Sequence, residues 1–170
     1  MFREVTGDRR ICHKTAREKR PGSQPDRKRH HSYLPDSGAL EGLAARIIAE
    51  RKLPLQDMES AMSAIQVAVA SNDALKVIDS VQRFHLCILE KTGNPLLLDT
   101  GKRLIVPLLA FTRMRVQARN LDASPWVPEV SNHQRILDAL RMGDPHLAEQ
   151  TVVHITGLFL KAALAVWASG

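Results

Sequence analysis

Arg83-Phe84-His85-Leu86-Cys87-Ile88-Leu89-Glu90-Lys91-Thr92-Gly93-Asn94-Pro95-Leu96-Leu97 is the stretch that decides the fold class of this chain. Ile78, Val81, His85 and Ile88 return to one side at helical spacing, so the segment reads as a helix with a histidine on its apolar stripe. Gly93-Asn94 stops that helix before a second apolar helix opens at Pro95. A buried imidazole needs a partner, because an unpaired polar group in a dry interior costs roughly 1–3 kcal/mol.

The same period extends in both directions. Ser37 can cap a helix over 37–52 with Leu40, Leu43, Ala44, Ile47 and Ile48 as its stripe. A second helix spans 55–71, a third 73–92 and a fourth 95–120, with a kink expected at Pro107. After a loop over 121–128, a fifth helix covers 129–142 and a sixth runs from the Asp144-Pro145 start over 144–168. No segment alternates with a period of two for long enough to be a strand. The expected fold is all-α, an antiparallel bundle of about six helices with short links.

Charge divides the chain in two. Residues 1–35 hold ten Lys/Arg against four Asp/Glu, and residues 36–170 hold fourteen of each. The whole excess of +6 therefore sits at the front, giving a disordered basic tail over 1–36 and a neutral helical domain over 37–170. A neutral body is a poor nucleic-acid surface, and only the tail could meet phosphates, without sequence specificity. Two cysteines, no signal-peptide core and no membrane span point to the cytoplasm.

Chemistry, if any, rests on three histidines. His85, His133 and His154 fall on apolar stripes of three separate helices, with His154 in phase with Leu147, Thr151 and Leu158. Three inward imidazoles suit zinc or a similar divalent ion with one open position. The reading places no carboxylate one turn from any of them. Nucleophile elbows and phosphate-cradling glycine loops are also missing, so catalysis gains little support. Arg113, beside the Leu109–Val116 stripe, can reach inward to hold an acidic ligand, with Asn94 as a second effector contact.

Leu40-Glu41-Gly42-Leu43-Ala44-Ala45-Arg46, then Phe84-His85 with Gly93-Asn94-Pro95-Leu96-Leu97, then His133 through Leu140 with Gly143-Asp144, resemble the FCD domain. That is the effector-binding domain of FadR-like, GntR-family transcription regulators. The resemblance covers about residues 38–165. It implies a helical homodimer whose bundle encloses a pocket, with a metal held by one aspartate and three histidines. A small carboxylate metabolite then binds beside the metal and alters how a winged-helix domain holds DNA.

Carried over by position, His85, His133 and His154 are the three histidine ligands. The aspartate expected four residues before His85 is Val81 here, the spacing from Gly143 to His154 is one residue short, and an expected arginine is Ser37. Residues 1–35 are too short and irregular for a winged helix, so the chain reads as an effector domain without its DNA reader. The competing readings are a small metal-dependent hydrolase on the same histidines and a non-functional truncated remnant.

Overall fold

The computed structural model describes the backbone of residues 27–168 and the side chains of residues 37–165. Among the described residues there are six α-helices and no strand: α1 Arg27–Arg51, α2 Gln56–Ala70, α3 Ala74–Lys91, α4 Pro95–Arg119, α5 Pro128–Met142 and α6 Pro145–Ala168. A 3-10 turn, Ser124–Trp126, links α4 to α5. The molecule is the all-α antiparallel bundle that the sequence periodicity implies.

Three helix starts follow directly from side-chain chemistry. The Asp73 carboxylate accepts from the backbone N–H of Lys76, Asn94 Oδ1 from Leu96 and Leu97, and Asp144 Oδ1 from His146 and Leu147. Each satisfies N–H groups that a first helical turn leaves without a partner. At the other end of α5, Gly143 takes a φ of +71°, a left-handed stop that a β-carbon would strain. Pro107 does not end α4, which continues to Arg119, although the ring has no N–H to give the carbonyl of Arg103.

α1 departs from expectation. It begins at Arg27, so Ser37 lies well inside the helix with its side chain buried, and not at a helix start. Residues 27–36 are thus helical and continuous with the bundle, and the rest of the expected tail, 1–26, lies outside the described residues.

α1 packs along α6 and also touches α3, α4 and α5, which makes it the helix around which the others gather. Its inward side is mostly small, with Ala44, Ala45 and Ala49 beside Ile48, and Gly42 meets α6 closely. A β-carbon at Gly42 would lie 2.7 Å from Cγ2 of Val153. α3 is flanked by α2 and α4, and Gly101 of α4 seats the side chain of Leu89 from α3. The core is built from large side chains of several helices, among them Phe84, Ile88, Leu109, Trp126, Ile136, Leu137, Ile155 and Phe159. No helix among the described residues is long and apolar enough to cross a membrane.

Candidate functional site

Two histidines meet in the middle of this apolar core. His85 lies on the buried side of α3 with Val81, Phe84 and Ile88, and His133 on the buried side of α5 with Glu129, Ile136 and Leu137. Their Nε2 atoms face each other at 3.3 Å. The edge of Phe84 packs on the His133 ring, with centroids 4.8 Å apart, and Phe159 of α6 lies 6.3 Å from His85. Four helices therefore enclose the pair, since α1 supplies the partner on the remaining side.

That partner is Glu41. Its Oε2 closes on Nδ1 of His85, and both side chains are buried. On the far ring, Nδ1 of His133 lies 2.7 Å from the backbone carbonyl of Glu129. A carbonyl oxygen can only accept, so Nδ1 of His133 carries the hydrogen and donates. Burial, and then the neighbouring His85, pull His133 down to about 3, so at neutral pH it is uncharged and its Nε2 is an acceptor. The hydrogen between the two rings therefore belongs to His85. Burial alone would push His85 down, but the Glu41 carboxylate, with a smaller contribution from Glu129, raises it overall.

Glu129 completes the cluster. Its carboxylate is buried, with Oε1 3.5 Å from Asn132 Nδ2 and Oε2 3.4 Å from His133 Nδ1. Oε2 makes no hydrogen bond, and burial pushes the carboxyl up to about 7 against the opposing pull of His85. The centre thus holds a buried ion pair, a neutral imidazole and a carboxyl that titrates near neutral pH.

The remaining expected site residues lie elsewhere. His154 is exposed, because the buried side of α6 runs through Ala148, Val152, Ile155, Thr156 and Phe159. The expected stripe of Leu147, Thr151 and Leu158 is one residue out of phase, a rotation of about 100°. Arg113 does not reach inward: its guanidinium pairs with Asp79 at the surface. Asn94 is exposed and spends its side-chain oxygen on capping α4. Two recesses of about 370 and 400 Å³ open beside α3, one against the end of α4 and one against α2, and neither is lined by the histidine pair.

The residues present do not fit a resident divalent ion. Zinc holds imidazole nitrogen at about 2.0–2.1 Å in a tetrahedron, which sets two such nitrogens about 3.3–3.4 Å apart. The His85–His133 spacing matches that, and Glu41 and the Glu129 carbonyl orient the rings as outer partners do. The rest of the set is missing. Val81, one turn before His85, and Ile155, on the buried side of α6, are apolar and each 0% exposed. Among the described residues no group of three or more His, Cys, Asp or Glu is placed to hold a metal.

With this geometry in place, comparison with known proteins identifies the scaffold. The FCD domain model matches residues 38–157, from the buried start of the α1 face to the inward turn of α6. The chain belongs to the FCD family. A relative of this FCD domain is the "Probable D-xylose utilization operon transcriptional repressor" of Paenarthrobacter nicotinovorans, 25% identical over 130 residues. The match covers 76% of this chain and 55% of the relative, so the chain spans about half the length of that protein.

Sequence reasoning missed both glutamates of this FCD domain. Each had a signal. Glu41 shares a stripe with Ala44, Ala45 and Ile48, a lone acid at inward spacing, and Glu129 stands one turn before His133, where no carboxylate was expected.

Proposed function

We propose that this chain is the small-molecule-sensing domain of a transcription regulator, with the Glu41–His85–His133–Glu129 cluster as the polar centre of its bundle. The observation that carries the reading is the position of that cluster: it lies inside the FCD-matched segment and draws its groups from α1, α3 and α5. Such a centre is expensive in a dry core, about 3–5 kcal/mol if one ionic partner is lost. A fold that keeps one for stability alone could fill the space with hydrocarbon at less risk. The name of the relative supports the regulatory role, since that protein is named as a probable repressor of a D-xylose utilization operon.

A bound effector would stabilise one of two bundle arrangements and shift their populations, and a DNA-binding domain would report the shift. Homodimerisation and DNA binding through a winged helix are part of the same proposal. Of the cationic groups that could meet a carboxylate effector, Arg113 is held by Asp79 and His85 is already paired with Glu41.

The test is a thermal-shift and calorimetric screen of the purified chain against small carboxylic acids in one arm and neutral pentoses, D-xylose included, in the other. A true effector at a hundredfold excess over its Kd raises stability by about 2.7 kcal/mol. Binding should be lost in His133→Ala while the variant remains folded. If neither arm moves the melting point, the sensing role falls.

A further inference from the structure

We infer that the polar centre works without a metal ion, as a hydrogen-bonded chain from the Glu41 carboxylate through His85 and His133 to the Glu129 carbonyl. This holds whether or not a small molecule is sensed, because it rests on the donor set alone. Two nitrogens stand at the separation of neighbouring ligands on one ion, and both rings are oriented from behind. Among the described residues no third donor joins them in a group that could hold an ion. Val81 lies one turn before His85 on the same buried side, and Ile155 takes the inward place on α6 that a one-residue shift denies to His154.

The hydrogens lead to the same result. His133 must donate through Nδ1, so its Nε2 lone pair faces His85 and receives the hydrogen of His85 Nε2. An ion would have to displace the hydrogen shared by the two Nε2 atoms, and only these two nitrogens would stand in its place. An ion held by two imidazoles would also have to complete its shell with water. Val81 and Ile155 themselves bring no polar atom to hold such water. The centre is therefore a metal site reduced to its two nitrogens and held together by a shared hydrogen.

Zinc titration of the full chain, read by calorimetry and by metal content after dialysis, tests this without any effector. The wild-type chain should show no saturable binding at the histidine pair and retain far less than one zinc per chain. Val81→Asp with Ile155→His should restore the missing donors and retain about one zinc. Its affinity should rise by at least the order of 100-fold that outer-shell changes alone can produce. Stoichiometric zinc on the wild-type chain that disappears in His85→Ala would overturn the inference. So would a double variant that is helical and melts cooperatively yet gains no zinc. Should the double variant fail to fold, the wild-type and His85→Ala titrations decide alone. An effector screen that finds nothing leaves these outcomes unchanged.

Discussion

The carboxylate of Glu41 on α1 meets Nδ1 of His85 on α3 across 44 residues of chain, with the His85 and Glu41 side chains only 4% and 2% exposed. An ion pair at that depth is held in place by the helices more than it holds them. Its Coulombic gain is offset by the desolvation of both groups, yet removing one partner leaves the other stranded.

Glu41→Ala should therefore destabilise the fold by about 3–5 kcal/mol. The double variant Glu41→Ala with His85→Ala should lose less than the two single losses together, because neither charge is then left unpaired. Urea midpoints of the four proteins close this cycle, and strict additivity would show that the two side chains do not interact.

His133 and His154 should behave as opposites. His133→Ala removes the donor to the Glu129 carbonyl and the acceptor for His85, and opens a hole beside Phe84; a loss of about 2–4 kcal/mol follows. His154 is exposed on α6, so His154→Ala should stay within about 0.5 kcal/mol of the parent. Equal losses would mean that α6 turns His154 toward the core.

Stability should depend on pH in three regimes. His133 titrates near 3 in the fold against an ordinary 6.5, so in that window the unfolded chain binds a proton that the fold refuses, and stability rises with pH. Glu129 titrates near 7 against an ordinary 4.5, so there the fold keeps a proton that the unfolded chain has released, and stability falls as pH rises. The raised His85 adds stability that is complete below 6.5 and lost as pH climbs through its folded value. Melting temperature should rise from pH 3 to 4.5, flatten to 6.5 and then decline. Each uncompensated proton contributes about 1.4 kcal/mol per pH unit. Glu129→Gln should turn the flat middle into a rise.

Two helix glycines should respond in opposite directions to alanine. A β-carbon at Gly101 overlaps the buried Leu89 side chain, so Gly101→Ala should cost about 1–3 kcal/mol despite the better helix propensity. Around Gly157 of α6 nothing lies within 4 Å, and Gly157→Ala should gain about 0.5–1 kcal/mol. Thermal melts of the two variants decide both signs.

The helices were legible because their ends are written in side chains that act locally. Asp73, Asn94 and Asp144 cap where an Asx residue precedes an apolar run, and Gly143 stops α5 where a left-handed turn is required. The start of α1 was not legible, since Ser37 has the composition of a cap while the helix runs on past it. The phase of α6 was also hidden. Apolar residues lie on both of its sides, with Leu147 and Val153 well exposed, so two stripes one residue apart fit the pattern equally well.

Within the centre, the two histidines could be read from their apolar neighbours, but their partners could not be read in the same way. Glu41 is an acid in a helix of otherwise ordinary composition, and only the docking of α1 on α3 shows which of its neighbours it answers. Arg113 drew attention through its position near a core stripe, but Asp79 on the adjacent helix neutralises it first.

Glu41, His85 and His133 are spaced 44 and 48 residues apart along the chain. During synthesis the first glutamate leaves the ribosome long before the last ring exists, so each early polar group must wait in water for its mate. A nascent chain halted before α5 would strand His85 beside its glutamate with no second imidazole to receive its hydrogen. The contacts that join these three groups are therefore non-local, and their loop-closure entropy is offset only when all three helices are in place.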